Sequence, residues 1–129
     1  MGDKNIEVLV VDDEADFRKL MTFWLESKGY SVVVASSGKN AIQQIAEKTP
    51  DIIFMDLRMP VMDGSEIIGR IRKFNKDIPI IVITAFANDP RLKEATSYGI
   101  SGVFNKSKDL EESLSLLEVA LRTHRKLKK

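Results

Sequence analysis

At 129 residues, 43% hydrophobic and 30% charged, the chain has the size and composition of one ordinary globular domain and is too short for two cores. Its 20 basic and 19 acidic side chains give a net charge of +1, which excludes a global electrostatic attraction to nucleic acid or to an anionic membrane. Cysteine is absent, which excludes disulfides and thiolate metal sites, and no apolar run approaches the roughly 18 residues of a membrane span, so we expect a cytoplasmic protein.

The first half of the sequence predicts two strands, each followed by a helix. After a strand at residues 8–11, apolar residues recur at the spacing of an amphipathic helix, and Gly29 follows as its expected C-terminal cap. The apolar residues of this helix are Phe17, Leu20, Met21, Trp24 and Leu25. A second strand at residues 32–34 precedes a helix that Ser37 is expected to cap and that Pro50 ends.

A third strand at residues 52–55 ends at Asp56, and a loop leads to the next helix. Asp63 and Glu66 have the spacing of a capping box at the start of that helix. Pro79 precedes a fourth strand at residues 80–83, where a missing N–H group is tolerated.

The last part of the chain predicts a short helix, a fifth strand and a final helix. Asp89 followed by Pro90 is typical of a helix N-cap and the first helical residue. After a strand around residues 103–104, Asp109 and Glu112 repeat the capping-box spacing. The final helix carries leucines on one face, at Leu110, Leu114, Leu117 and Leu121.

Five strands that alternate with helices, and that are too apolar to have a solvent face, predict an α/β fold with a parallel sheet covered on both sides. We expect a three-layer sandwich with strand order 2-1-3-4-5. The whole chain, residues 1–129, is predicted to be a single domain with its core at about residues 5–121. Residues 122–129 form a basic tail, interpreted chiefly as a solvated helix end and only secondarily as a site for an anionic partner.

Polar residues follow four of these strands. Asp12 and Asp13 follow the first strand, Asp56 ends the third, Thr84 ends the fourth and Lys106 follows the fifth. The carboxyl ends of parallel strands meet at one edge of a sheet, so these side chains are expected to share a pocket. Each has a simpler interpretation as a helix cap, strand residue or solvated lysine, but their joint placement favours a shared site.

These residues carry a close resemblance to a known family. The acidic cluster at residues 11–14, the stretch at residues 51–64, the pair Thr84 and Ala85, and Lys106 stand in the same order and spacing as in that family. The chain resembles the receiver domain of two-component response regulators along essentially its whole length, which implies the (βα)5 flavodoxin-like fold.

The resemblance implies a signalling role instead of an enzymatic one. Asp56 would take a phosphoryl group from a phosphohistidine, on a histidine kinase or a histidine phosphotransfer protein, to form an aspartyl phosphate. Mg²⁺, for which Mn²⁺ can substitute, would be held by Asp12, Asp13, Asp56 and the backbone carbonyl of Arg58. Of these, Asp13 would bind directly and Asp12 through water.

The same resemblance implies how the phosphoryl group is bound and how it signals. Thr84, Ala85 and Lys106 would form its binding and switch residues, with the Thr84 hydroxyl and the Lys106 ammonium on its oxygens. The added charge is expected to switch a surface between Asp89 and Leu121 that contacts a downstream output protein or an output domain of a longer chain. A phosphorylation-dependent dimer is also compatible with this role, and no direct binding of nucleic acid or membrane is expected.

The sequence departs from the family pattern at two positions. Ser107 stands where proline usually follows the lysine, so the Lys106–Ser107 bond is expected to be trans, since a cis bond before a non-proline residue costs about 2.5–4 kcal/mol. Val103 occupies the output switch position, where the family commonly has tyrosine or phenylalanine. A rotating ring is therefore missing, and the signal is expected to be transmitted differently. The resemblance implies that Arg58 and Phe86 border the path of the attacking water, and because both are bulky they are expected to modulate hydrolysis by slowing it.

Three other functions were weighed. A metal-dependent phosphohydrolase would have a second acid where Arg58 stands. A flavin-binding protein of the same fold would have a phosphate cradle in place of the acidic residues 12–14. A phosphorylation-independent, receiver-like interaction module is the main alternative, and it is supported only by Ser107 and Val103.

Overall fold

The computed structural model describes residues 5–124, in which five strands alternate with five helices. The strands are β1 Glu7–Val11, β2 Ser31–Ala35, β3 Ile52–Asp56, β4 Ile80–Thr84 and β5 Gly102–Asn105. The helices are α1 Ala15–Ser27, α2 Gly38–Glu47, α3 Gly64–Phe74, α4 Arg91–Ser97 and α5 Leu110–Thr123. Of the predicted basic tail, residues 125–129 lie outside the described residues.

All strand pairs are parallel, and their order is β2-β1-β3-β4-β5, which confirms the predicted topology. In this register Asp56 at the end of β3 lies beside Ile83, and Thr84 at the end of β4 lies beside Asn105. The carboxyl ends of β1, β3, β4 and β5 therefore meet at one edge of the sheet, where the polar residues were expected.

The sheet separates two apolar layers, as expected for strands buried on both faces. One face packs against α1 and α5 through side chains that include Phe54, Phe104 and Leu117. The other packs against α2, α3 and α4 through side chains that include Met55 and Ile68.

The predicted apolar face of α1 is only partly buried. Met21 and Leu25 are fully buried, and Trp24 is half-buried against the same layer. Leu20, which belongs to the predicted apolar face, is 47% exposed and lies outside the core. Leu20 has helical spacing but lies at the margin of a stripe narrower than the sequence pattern indicates.

The helix caps follow the sequence at α2 and α3 and differ at α4 and α5. Ser37 Oγ accepts a hydrogen bond from Asn40 N at 3.2 Å, and Asp63 Oδ1 accepts one from Glu66 N at 3.1 Å. At α4 the capping residue is Pro90, one residue later than predicted. At α5 Asp109 precedes the helix, but its side chain caps no N–H group of the described chain, so the predicted capping box does not form.

One residue of the loop between β3 and α3 has an unfavourable backbone conformation. Val61 has a φ of 70° and is fully exposed. A β-branched side chain is disfavoured in this left-handed region because its Cβ crowds the backbone.

We expect Val61→Gly to stabilise the protein by about 0.5–1 kcal/mol. Relief of roughly 1–2 kcal/mol of local strain is partly offset by the greater freedom of glycine in the unfolded chain. Urea unfolding with an unchanged m-value measures the difference. Val119→Gly, at an exposed position within α5, is the control and should destabilise the protein. A Val61→Gly protein less stable than the parent would contradict the prediction.

Candidate functional site

An open cleft of about 250 Å³ lies at the carboxyl edge of the sheet. It is lined by Asp13, Glu14, Asp56, Arg58, Thr84, Ala85 and Lys106. These residues come from the loops after β1, β3 and β4 and from the end of β5, so the parallel topology brings them together.

The backbone of the loop after β3 folds closely over Asp56. Gly64 N donates a hydrogen bond to Leu57 O at 2.8 Å, and a Cβ atom at Gly64 would lie only 2.0 Å from Asp56 O. Glycine is therefore required here for the loop to return over the strand end. This return fixes the backbone from which the Asp56 side chain enters the cleft.

Three carboxylates converge beside the cleft. Oxygen atoms of Asp12, Asp13 and Asp56 all lie within 4.8 Å of one another. Asp12 and Asp56 are buried, whereas Asp13 is exposed. Asp12 Oδ1 accepts a hydrogen bond from Glu14 N at 2.8 Å, so this residue also supports the turn into α1.

Burial and mutual repulsion make these carboxylates hard to ionise together. Burial, reinforced by the charge of Asp12, raises the pKa of Asp56 to about 7. Burial also raises the pKa of Asp12, against the hydrogen bond from Glu14 N and the charge of Lys106. The cluster therefore favours any cation that can bind between its oxygens.

The raised pKa of Asp56 predicts that the metal-free protein loses stability as the pH rises from about 4 to about 7. Below the unfolded-state pKa near 3.8, Asp56 is protonated in both states and does not lower the free energy of unfolding. Above the folded-state pKa of about 7, it is ionised in both states and lowers that free energy by the full amount. The loss between pH 5.5 and 7 is at most about 2 kcal/mol. Urea unfolding in EDTA measures it, and Asp56→Asn should remove most of the dependence. Identical pH profiles for the two proteins would contradict this assignment.

Lys106 supplies the positive charge of the site. Its Nζ lies 2.9 Å from Asp12 Oδ2, 2.5 Å from Glu14 Oε1 and 3.9 Å from Asp56 Oδ2. The ammonium also lies 4.7 Å from the centroid of the Phe17 ring, within the range of a cation–π contact. Burial alone would lower the pKa of Lys106, but its contacts with Glu14 and Asp12 raise it, so the side chain stays charged.

The Asn105 side chain holds the loop that follows Lys106. Asn105 Oδ1 accepts hydrogen bonds from Ser107 N at 2.9 Å and from Ser107 Oγ at 2.7 Å. The Lys106–Ser107 peptide is trans, as is every other peptide bond between residues 5 and 124, in agreement with the prediction.

The Thr84 hydroxyl is bonded to its own loop. Thr84 is buried, and its Oγ1 donates to Phe86 O at 2.9 Å and accepts from Phe86 N at 3.0 Å. For this hydroxyl to donate to a group on Asp56, its bond to Phe86 O must break. Ala85, which follows, is exposed and lines the cleft directly.

Arg58 and Phe86 contact each other at one side of the cleft. The Arg58 guanidinium lies 5.0 Å from the centroid of the Phe86 ring, and its Nε donates to Asp89 Oδ2 at 2.7 Å. Phe86 is 56% exposed and is not among the residues that line the cleft. The resemblance implied that both residues border the path of water; in the structure Arg58 lines the cleft, whereas Phe86 contacts Arg58 without lining the cleft itself.

Other residues of the site were missed or lie apart from it. Glu14 was included in the acidic cluster at residues 11–14 but was given no role, although a third acid directly after Asp12 and Asp13 was a usable signal. Phe17 was named only as an apolar residue of the first helix, and no sequence signal linked it to Lys106. Val103, the expected output switch position, is half-buried on β5 beside Val82 and does not line the cleft.

The fold and the residues of this cleft match one protein family. Residues 8–118 match the family model of the response regulator receiver domain. The chain belongs to this family. Within the described residues of this receiver, no helix has the length and hydropathy needed to cross a membrane.

Curated relatives of this receiver differ greatly in length. An uncharacterised 14.6 kDa protein of Leptolyngbya boryana is 36% identical over 115 residues, which make up 88% of each chain. The transcriptional regulatory protein ZraR of Escherichia coli strain K12 is 34% identical over 121 residues, which make up 94% of this receiver but only 27% of ZraR.

Solved structures show the same fold. The chemotaxis protein CheY4 of Vibrio cholerae aligns with a TM-score of 0.83 at 29% identity, over 92% of this receiver and 100% of that chain. The receiver domain of NtrX from Brucella abortus aligns with a TM-score of 0.84 at 26% identity, over 90% and 98% of the two chains.

Proposed function

We propose that this receiver accepts a phosphoryl group on Asp56 within a two-component or phosphorelay pathway. The observation that carries the proposal is the convergence of three carboxylates within 4.8 Å, with Lys106 Nζ 3.9 Å from Asp56 Oδ2, at an open cleft. Only Asp56 in this cluster is a buried acid that also lines the cleft.

The proposed reaction transfers one phosphoryl group. An Asp56 carboxylate oxygen attacks the phosphorus of a phosphohistidine, a P–O bond forms, and the P–N bond breaks with its electron pair going to the imidazole. Lys106 lies where its charge can offset that of the incoming group. Thr84, which lines the cleft, can donate its hydroxyl to the phosphoryl group once its bond to Phe86 O breaks.

The residues present fit a divalent cation. Mg²⁺ and Mn²⁺ prefer oxygen ligands, and the cluster offers only carboxylates. Among the described residues, the only partner of buried Asp12 Oδ2 is the Lys106 ammonium at 2.9 Å. Asp12, Asp13, Asp56 and the Arg58 carbonyl would hold the ion. When bound, Mg²⁺ supplies charge that reduces the repulsion between the carboxylate and the phosphoryl group.

We expect Mg²⁺ to stabilise the protein by about 1.4 kcal/mol at ten times its dissociation constant, because it binds only the folded cluster. Thermal unfolding with Mg²⁺ or EDTA measures the shift. Asp13→Asn should reduce it, whereas Asp16→Asn, at an exposed acid in α1 outside the cluster, should not. Coincident midpoints at millimolar Mg²⁺ would show that the cluster is not a working metal site.

The proposal names partners by their chemistry. The donor is a histidine kinase or a histidine phosphotransfer protein. The recipient of the signal is an output protein, or an output domain where the receiver is part of a longer chain, and it contacts the surface between Asp89 and Leu121. A phosphorylation-dependent dimer and a cytoplasmic location stay predictions.

The deciding experiment is incubation with Mg²⁺ and acetyl phosphate, followed by intact mass spectrometry. The proposal expects a mass gain of one phosphoryl group that is stable to acid and labile to base. No gain with Mg²⁺ present would favour a phosphorylation-independent interaction module.

A further inference from the structure

Asp89 is a buried carboxylate held between two arginines. Its side chain is 0% exposed. Asp89 Oδ2 accepts Arg58 Nε at 2.7 Å, and Oδ1 accepts the backbone N–H of Arg91 at 2.9 Å and Arg91 Nη1 at 3.4 Å. Burial alone would raise the pKa of Asp89, but these bonds lower it, so the group stays ionised.

The two arginines join the cleft to α4. Arg58 lies two residues after Asp56 and lines the cleft, while Arg91 is the first residue of α4. Arg91 Nε also donates to Asp63 Oδ2 at 3.2 Å, so the start of α4 is tied to the start of α3 as well. One carboxylate, that of Asp89, therefore contacts both an arginine of the cleft and the first residue of α4.

A phosphoryl group on Asp56 would compete with Asp89 for Arg58. It adds a charge of about −1.5 to −2 and three acceptor oxygens, more than one carboxylate presents. The Arg58 side chain is 53% exposed, so it is free to turn toward the cleft. Asp89 would keep both donors from Arg91, so the departure of Arg58 would not leave a buried charge unpaired.

We propose that Asp89 is a positioning residue that engages Arg58 Nε at the edge of the cleft and yields it to the phosphoryl group when Asp56 is phosphorylated, thereby coupling the cleft to α4. This inference rests on the proposed function. It also provides a route to the output surface in a chain that has Val103 in place of a rotating ring.

The test is the affinity of the protein for beryllofluoride, a noncovalent phosphoryl mimic, with Mg²⁺ present and measured by calorimetry. Asp89→Asn frees Arg58 and should bind beryllofluoride roughly threefold to fivefold more tightly, the effect of releasing one half-exposed ion pair. Glu66→Gln is the matched control, since it makes the same charge change on α3, where Glu66 pairs only with Arg70 at 3.1 Å among the described residues. This control should bind like the parent.

The role of Arg58 is isolated by a double variant. In an Arg58→Gln background, Asp89→Asn should bring no gain in affinity, because there is no guanidinium to release. A gain that persists in that background, or the absence of a gain in Asp89→Asn alone, overturns the inference. If the parent fails to bind beryllofluoride and to be labelled by acetyl phosphate, the proposed function itself fails.

A second measurement covers the case in which Asp89→Asn does not fold. The Arg58 Nε–H resonance of the parent protein should shift when beryllofluoride and Mg²⁺ are added, because its acceptor changes. The Arg70 Nε–H resonance serves as the internal control. An unchanged Arg58 resonance in the beryllofluoride-bound protein overturns the inference.

Discussion

Replacing Asp56 with Asn is expected to abolish labelling by acetyl phosphate while leaving the fold intact. An amide has no anionic oxygen to attack phosphorus, so a loss of at least about a thousandfold in rate is expected. The residue is buried, and the replacement has nearly the same shape, so packing is kept. Because one charge is removed from a repulsive cluster, the variant should be no less stable than the parent at neutral pH.

Intact mass spectrometry after incubation with Mg²⁺ and acetyl phosphate measures this loss. Asp16→Asn is the control for an acid outside the cluster, and it should be labelled like the parent. Asp13→Asn should be labelled more slowly, since it weakens metal binding without removing the nucleophile. Full labelling of the Asp56→Asn protein would place the phosphoacceptor at another residue.

The topology of the sheet and the residues that share the cleft were predictable, because both follow from the order of the strands along the chain. Runs such as Ile80–Thr84 have no polar alternation, so they had to be covered on both faces, and a parallel sheet is the arrangement that does this. In a parallel sheet, Asp12, Asp56 and Thr84 lie at the same edge whichever rotamers their side chains adopt.

The contacts inside the cleft were not predictable, because they depend on rotamers of residues far apart in the chain. Lys106 and Glu14 are separated by 92 positions, and Arg58 and Asp89 by 31. No periodicity encodes such pairs. The sequence assigned Lys106 to a phosphate oxygen, and the structure adds that without phosphate it pairs with Glu14 and Asp12.

Local capping patterns were only partly predictive. Asp89 was predicted to be the cap of α4, and its Oδ1 does accept the Arg91 N–H at 2.9 Å, but the capping position is Pro90 and the other carboxylate oxygen of Asp89 pairs with Arg58. The spacing of Asp109 and Glu112 fits a capping box, but spacing alone does not fix where a solvated carboxylate points.

The double replacement of Arg58 with Asn and Phe86 with Glu is expected to accelerate the loss of phosphate from Asp56 roughly tenfold to hundredfold, which reaches only the lower end of the range of general base catalysis. In the structure Arg58 lines one side of the cleft, and its guanidinium lies 5.0 Å from the centroid of the Phe86 ring, so Phe86 supports the side chain that covers this side. The replacements remove that cover and introduce a carboxylate able to orient a water for in-line attack.

The rate of mass loss after removal of acetyl phosphate measures this effect. Arg58→Asn with Phe86→Leu is the matched control, because it opens the same side of the cleft without adding a base, and it should show only part of the acceleration. If shielding by Arg58 and Phe86 sets the lifetime of the phosphoryl group, both variants must lose it faster than the parent. An unchanged decay rate in the double variant with glutamate would end the shielding argument, since neither bulk nor the missing base would then limit hydrolysis.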